Sequence, residues 1–227
     1  MFRACNAYLE TIIGTNRMPL RVSLEFAGIV PSGQKDNQQT GAKQTIRRDF
    51  SIQIAHLWQT DPMLHAALQH SGGYFADAQL QDKKVANISP WEAFWRVPTC
   101  GYLASAIVTR QNGLLCELDV ELWRREAPGA ILHSGGQTPD LDNRLKTLFD
   151  ALRIPLCDSD VPGNMWGSGQ EELDCLLEDD GLISKLTIDT KKWSRPPAAN
   201  ENPDAVKIIV NAHIYRFRPE SSTETLA

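Results

Sequence analysis

Thr138-Pro-Asp-Leu-Asp-Asn-Arg-Leu-Lys-Thr-Leu-Phe-Asp-Ala-Leu152 reads as a helix with a marked start and a marked stop. Leu141, Leu145, Leu148, Phe149 and Leu152 fall at i, i+4, i+7, i+8 and i+11, one apolar stripe. Pro139 favours an extended residue before it and suits a helix start, and Pro155 closes the segment. A strand precedes this helix: Leu114, Cys116, Leu118, Val120 and Leu122 alternate with polar neighbours up to Trp123, followed by Arg124-Arg125. Further strands are expected on both sides, at Leu20–Phe26, Cys100–Val108, Leu182–Thr190 and Val206–Tyr215. The expected architecture is therefore α/β (α+β), a single domain with a mixed β-sheet flanked by helices.

Other segments follow from shorter patterns. Phe50, Ile54, Leu57 and Trp58 repeat with helical spacing from Thr45, whereas Gln34 to Gln44 holds no apolar residue but Ala42 and reads as an exposed loop. Trp91, Phe94 and Trp95 suggest an aromatic-anchored connection into the strand ending at Val108. Gln111-Asn112-Gly113 is a hairpin signal joining that strand to Leu114–Trp123, because Asn-Gly supplies the positive φ angles of a type I′ turn. In domain terms, residues 1–17 are an N-terminal extension, 18–218 the folded domain with an acidic insertion at about 156–177, and 219–227 a C-terminal tail.

The five cysteines (Cys5, Cys100, Cys116, Cys157, Cys175) include no C-x-x-C pair and read as free thiols of a reducing compartment. With no signal-peptide pattern and no apolar run near the ~20 residues that span a bilayer, the expectation is a cytoplasmic protein without membrane contact. Phosphate-loop, dinucleotide, zincin and nucleophile-elbow motifs are absent, and five scattered histidines show no metal-ligand spacing. His133, ahead of the acidic motif, is a minor candidate.

The chemistry is concentrated in carboxylates. Asp140 and Asp142 lie two apart, so they converge only if Asp140 sits on the extended approach and Asp142 on the first helical turn. Asp142 and Lys146 are then i, i+4 neighbours. A helix start with good dipole complementarity looks the same. A second acid pair, Asp179-Asp180 before a strand, adds weight, although Asp179-Asp180-Gly181 also reads as a plain turn. Carboxylates from a helix start and a strand start make an oxygen-ligand set for a hard cation, which suits phosphoryl chemistry.

Asp140-Leu-Asp-Asn-Arg-Leu-Lys146, continuing Thr-Leu-Phe-Asp-Ala-Leu152, resembles the signature of the RusA family of Holliday junction resolvases, and Asp179-Asp180 followed by Gly-Leu-Ile-Ser-Lys-Leu-Thr-Ile resembles the family's later Asp-Asp pair and strand. The likeness covers roughly residues 114 to 217 and, more weakly, 20 to 70. It implies a RusA-like fold and a Mg²⁺-dependent (or Mn²⁺-dependent) endonuclease that resolves Holliday junctions or related branched DNA. Asp140, Asp142 and Asp180 are the implied metal ligands and catalytic acids, Lys146 the implied catalytic lysine, and a homodimer the implied assembly. Candidate phosphate contacts are Arg124, Arg125, Arg144, Lys191, Lys192 and Arg195, with Trp193 available for stacking. Two alternatives stay open: a catalytically silent RusA-fold module that binds DNA or protein, and the same chemistry on flap DNA or RNA. About nineteen extra residues, in a stretch rich in acids, between the Asp-Ala-Leu helix and Asp179-Asp180, and few basic residues ahead of Asp140, depart from the family pattern.

The net charge of −5, taken whole, argues against nucleic acid. Yet residues 156 to 180 hold eight acids and no Lys or Arg, which leaves the remainder with 23 bases against 20 acids. The charge is segregated, and the acidic insertion is expected to restrict access to the site.

Overall fold

The computed structural model describes residues 20–30, 36–64, 95–99, 102–125, 141–156, 160, 172–194 and 205–216. The expectations for Asp140, His133, Arg195, the N-terminal extension and the C-terminal tail lie outside these residues.

Two sheets share the strands. In the first, β1 (Leu20–Ile29), β4 (Leu114–Arg124), β6 (Ile183–Lys192) and β7 (Ala205–Arg216) are ordered β1-β7-β4-β6. The β1–β7 and β7–β4 pairs are antiparallel and β4–β6 is parallel, so this sheet is mixed. Period-two alternation decides its faces: Leu20, Val22, Leu24 and Phe26 of β1, and Cys116, Leu118 and Val120 of β4, are buried on one side. Arg21, Ser23 and Glu25 project to the other, exposed side. Each core side chain of this size contributes roughly 1.5–3 kcal/mol by leaving water.

A second sheet, ordered β2-β3-β5, is built from β2 (Arg96–Thr99), β3 (Tyr102–Val108) and β5 (Glu172–Leu177). Its parallel β3–β5 pair carries a small core of Ala104, Ala106, Leu173 and Cys175, closed by Ile154. Two of these strands correct the sequence reading. Arg96–Thr99 is a strand rather than a connection, since it pairs antiparallel with β3. Glu172–Leu177 lies inside the expected acidic insertion; Leu173 and Cys175 nevertheless face inward, as do Leu176 and Leu177. The insertion is therefore partly a structural strand.

Helix α1 runs over Asp36–Thr60, and α2 over Leu141–Leu152. The exposed loop expected over Gln34 to Gln44 is corrected: helix begins at Asp36. Gln, Lys and Ala are ordinary helix formers, and tertiary anchors replace the missing apolar face. The Lys43 ammonium and the Gln44 amide both bond Asp160. Further along, Ile46, Phe50, Ile54 and Trp58 form the buried row at i+4 spacing. Trp58 meets Trp95 edge-to-face at 5.3 Å, pinning α1 to the start of β2.

The expected hairpin is also corrected. The Asn112-Gly113 turn exists and Gly113 takes φ +64°, but the strands it joins belong to different sheets. The turn is a corner held by one buried amide. Asn112 Oδ1 accepts from the backbone of Thr109 (3.0 Å) and Leu114 (3.1 Å), and Nδ2 donates to the Ile107 carbonyl (2.9 Å). Those bonds take the place of ladder bonds, so β4 is free to enter the first sheet.

Candidate functional site

Helix α2 presents two faces. Arg144, Thr147, Leu148, Ala151 and Leu152 are buried, while Asp142 and Lys146 are exposed on the opposite side, four residues apart. The apolar stripe is thus rotated from the leucine row: Leu141 and Leu145 are half-buried, and Arg144 and Thr147 take core positions. Arg144, a candidate phosphate contact from the sequence, is only 4% exposed, and its Nε donates to the Val30 carbonyl at 3.2 Å. A long guanidinium whose stem packs in the core and whose head bonds a strand-end carbonyl serves the fold. At 4% exposure the guanidinium is not presented to a phosphate at the surface.

The second acidic element follows β5. Its three consecutive acids have different environments. Glu178 accepts from the Arg110 backbone N–H at 2.7 Å, and its other oxygen lies 3.7 Å from Arg110 Nε. Asp179 caps a 3₁₀ turn over Asp180–Leu182 by accepting from Gly181 N at 2.8 Å, and its Oδ2 is 2.9 Å from Arg110 Nη2. Asp180 is exposed, and its side chain bonds no described residue. Arg110, on the corner before β4, therefore occupies Glu178 and Asp179 and leaves Asp180 open to solvent. Sequence reading missed Arg110, which stands 69 residues from Asp179 with no local signal linking them.

Helix α2 and this turn are joined through β5. Ile154 N, two residues past the helix, donates to the Leu177 carbonyl at 2.9 Å, and Asp180 follows three residues later. Asp142 is in the first turn of the helix and Asp180 beyond the strand beside its last turn. Among the described residues no group of three or more His, Cys, Asp or Glu side chains is disposed to hold a metal ion. The donor set expected from sequence includes Asp140, which is not described. Asp142 and Asp180 are hard, exposed oxygen donors, the chemistry that Mg²⁺ or Mn²⁺ requires.

The basic candidates collect elsewhere. Arg124, Arg125, Lys191, Lys192 and Trp193 stand at the carboxyl ends of the parallel strands β4 and β6, where Trp193 N donates to the Arg124 carbonyl at 2.7 Å. The Arg125 guanidinium lies 4.2 Å from the Trp193 ring centroid, and the Lys191 ammonium 5.1 Å from that of Trp123. Lys191 also pairs with Glu121 at 2.9 Å; that hydrogen bond lowers the Glu121 carboxyl below its ordinary pKa and raises the Lys191 ammonium above its own. Asp180 precedes β6 and Lys192 ends it, so the acidic turn and the basic, aromatic cluster are separated by the length of a ten-residue strand, roughly 30 Å.

A further anchor lies under α1. Arg47, only 1% exposed, donates to the carbonyls of Asp160 (2.9 Å) and Asp150 and to Gln44 Oε1 (3.1 Å). Burial lowers its pKa, against the raising pull of nearby acids. Burial would raise the Asp160 carboxyl, but its bond to Lys43 prevails and holds it below its ordinary value. Asp160 thus ties the expected acidic insertion to α1.

No helix among the described residues is long and apolar enough to cross a membrane. Compared with protein-family models, with curated proteins and with solved structures, the chain matches none.

Proposed function

We propose that this chain is a Mg²⁺-dependent endonuclease of the RusA type, acting on branched DNA as a homodimer. The observation that carries the reading is the separation of roles among consecutive acids. Arg110 and Gly181 engage Glu178 and Asp179, whereas Asp180 presents its carboxylate to solvent. On α2, Asp142 and Lys146 lie exposed one turn apart. The Asp180 carboxylate, exposed and without a side-chain bond to a described residue, is available to a ligand, and the order of these charges in the chain is the one the RusA resemblance requires.

In this reading Asp140 and Asp142, at the start of α2, hold the cation, and Asp180, roughly 15 Å of helix away beside the last turn, is the carboxylate that the resemblance adds to the set. When bound, the cation supplies charge neutralisation at the scissile phosphate and a more acidic attacking water. Lys146, one turn along α2 from Asp142, stabilises the negative charge that grows on the phosphate oxygens. Arg124, Lys192 and their neighbours grip the backbone about one strand length from Asp180, close to one turn of B-form duplex at roughly 34–36 Å. One DNA arm spans both regions.

The test is cleavage of labelled four-way junctions with Mg²⁺, using Asp142→Asn and Asp180→Asn as controls. Cleavage by the wild type that disappears in both variants is expected. An inert wild type, or cleavage that survives both substitutions, overturns the reading. Equal rates on junctions and on flaps or RNA would move the substrate to the latter class. Replacing Arg124 and Lys192 by Ala is expected to weaken DNA binding and to flatten its salt dependence.

A further inference from the structure

Strand β6 is the edge of the first sheet, and its outer side has no strand partner among the described residues. It is open on both faces as well: Ser184, Lys185, Leu186, Thr187 and Asp189 are all exposed. An edge of this length with solvated backbone is a template for another strand. Its register with β4 fixes the faces. Leu186 and Ile188 align with the buried Leu118 and Val120, while Lys185 and Asp189 align with Glu117 and Glu121 on the polar side. Leu186, at 41% exposure, is one of four large apolar side chains left in water among the described residues.

We propose that β6 pairs antiparallel with β6 of a second copy of this chain, in the two-fold register centred on Thr187. This gives the homodimer of the preceding reading its interface and joins two four-stranded sheets into one continuous sheet. Charge complementarity singles out the occupant and the register. With Thr187 opposite itself, Lys185 of each copy faces Asp189 of the other, and Leu186 faces Ile188, each pair occurring twice by symmetry. Directly opposed side chains lie about 4.5–5.5 Å apart at Cβ, close enough for both contacts. Neighbouring registers fail. A one-residue slip sets apolar against polar faces. Centring on Ile188 puts Lys185 opposite Lys191, and centring on Leu186 sets Ser184 against Ile188. A lysine on a sheet edge ordinarily repels a second strand; here the same lysine meets an aspartate, itself 66% exposed and in only a 3.5 Å contact with Lys191.

The test needs neither DNA nor metal, so its failure and that of the nuclease reading are separable. Sedimentation equilibrium over a wide concentration range is expected to show a monomer–dimer equilibrium. Lys185→Asp alone and Asp189→Lys alone each weaken it, by roughly tenfold or more, and the double variant Lys185→Asp/Asp189→Lys restores it. A Thr187→Cys variant, oxidised and digested, yields a crosslinked peptide joining residue 187 to itself, since cross-strand Cα spacing suits a disulfide. A wild type that stays monomeric overturns the proposal. So does a dimer indifferent to both single substitutions, a double variant no better than the weaker single one, or no 187–187 crosslink.

Discussion

Arg110 Nη2 lies 2.9 Å from Asp179 Oδ2, across 69 residues of chain, and fixes the turn that leads into β6. Asp179 also caps that turn through Gly181 N. The two acids of the pair should therefore respond oppositely to substitution. Asp179→Ala removes a cap and an exposed ion pair and is expected to cost about 1 kcal/mol in urea unfolding. Asp180→Asn should leave stability unchanged while abolishing the cleavage proposed above. Equal loss of stability in both variants would contradict this division.

Arg47 supports a different part of the fold. Arg47→Ala leaves the carbonyls of Asp150 and Asp160 without this donor and opens a cavity beside Phe50, so about 3 kcal/mol of stability is expected to be lost. Arg47→Met should lose less, because it fills the space and removes the cost of burying a charge. Urea denaturation of both variants, at equal m-value, measures the difference.

The corner at Asn112 gives a third prediction. Asn112→Ala strips three backbone groups of their partner in a buried site and is expected to cost about 2–3 kcal/mol. Gly113→Ala forces a left-handed φ on a side chain, although nothing stands in the space a Cβ would fill. It should cost only about 1 kcal/mol. Thermal melts of the two variants rank them.

Two buried thiols predict a pH dependence. Burial pushes Cys116 and Cys175 up to about 12, from an ordinary 9.0. In the unfolded chain both lose protons above that ordinary value while the native state keeps them. Alkali therefore favours unfolding, and stability falls as pH rises from about 9 towards 12. Each thiol steepens that fall by up to about 1.4 kcal/mol per pH unit. The variant Cys116→Ala/Cys175→Ala should lose stability more gently over this range, as read by urea melts at neutral and alkaline pH. Alkylation of the native wild type at neutral pH should spare both residues.

Much of the first sheet was legible because its strands are half-buried, and half-burial writes period-two alternation into β1 and β4. Of the second sheet only β3 was legible, within the strand expected at Cys100–Val108. β5 presents four inward side chains among acids, a pattern too short and too mixed for periodicity, and β2 is four residues long. The start of α1 was misread for the opposite reason: its anchors are polar bonds from Lys43 and Gln44 to Asp160, which hydrophobic spacing does not register. At the site, Asp142 and Lys146 face water, as their spacing against the apolar row implied. Arg144 could not be told from a surface arginine, because its partner Val30 is 114 residues away. Arg110 escaped notice for the same reason.

The pairing of β1 with β7 also sets a schedule for the chain during synthesis. Ser23 bonds Asn211, 188 residues downstream, and among the described residues every ladder bond of β1 is made to β7. A ribosome adding roughly 5–20 residues per second needs on the order of ten seconds or more to deliver that partner. Until then the nascent β1, with Leu20, Val22, Leu24 and the ring of Phe26 all seeking cover, waits for the strand it pairs with among the described residues.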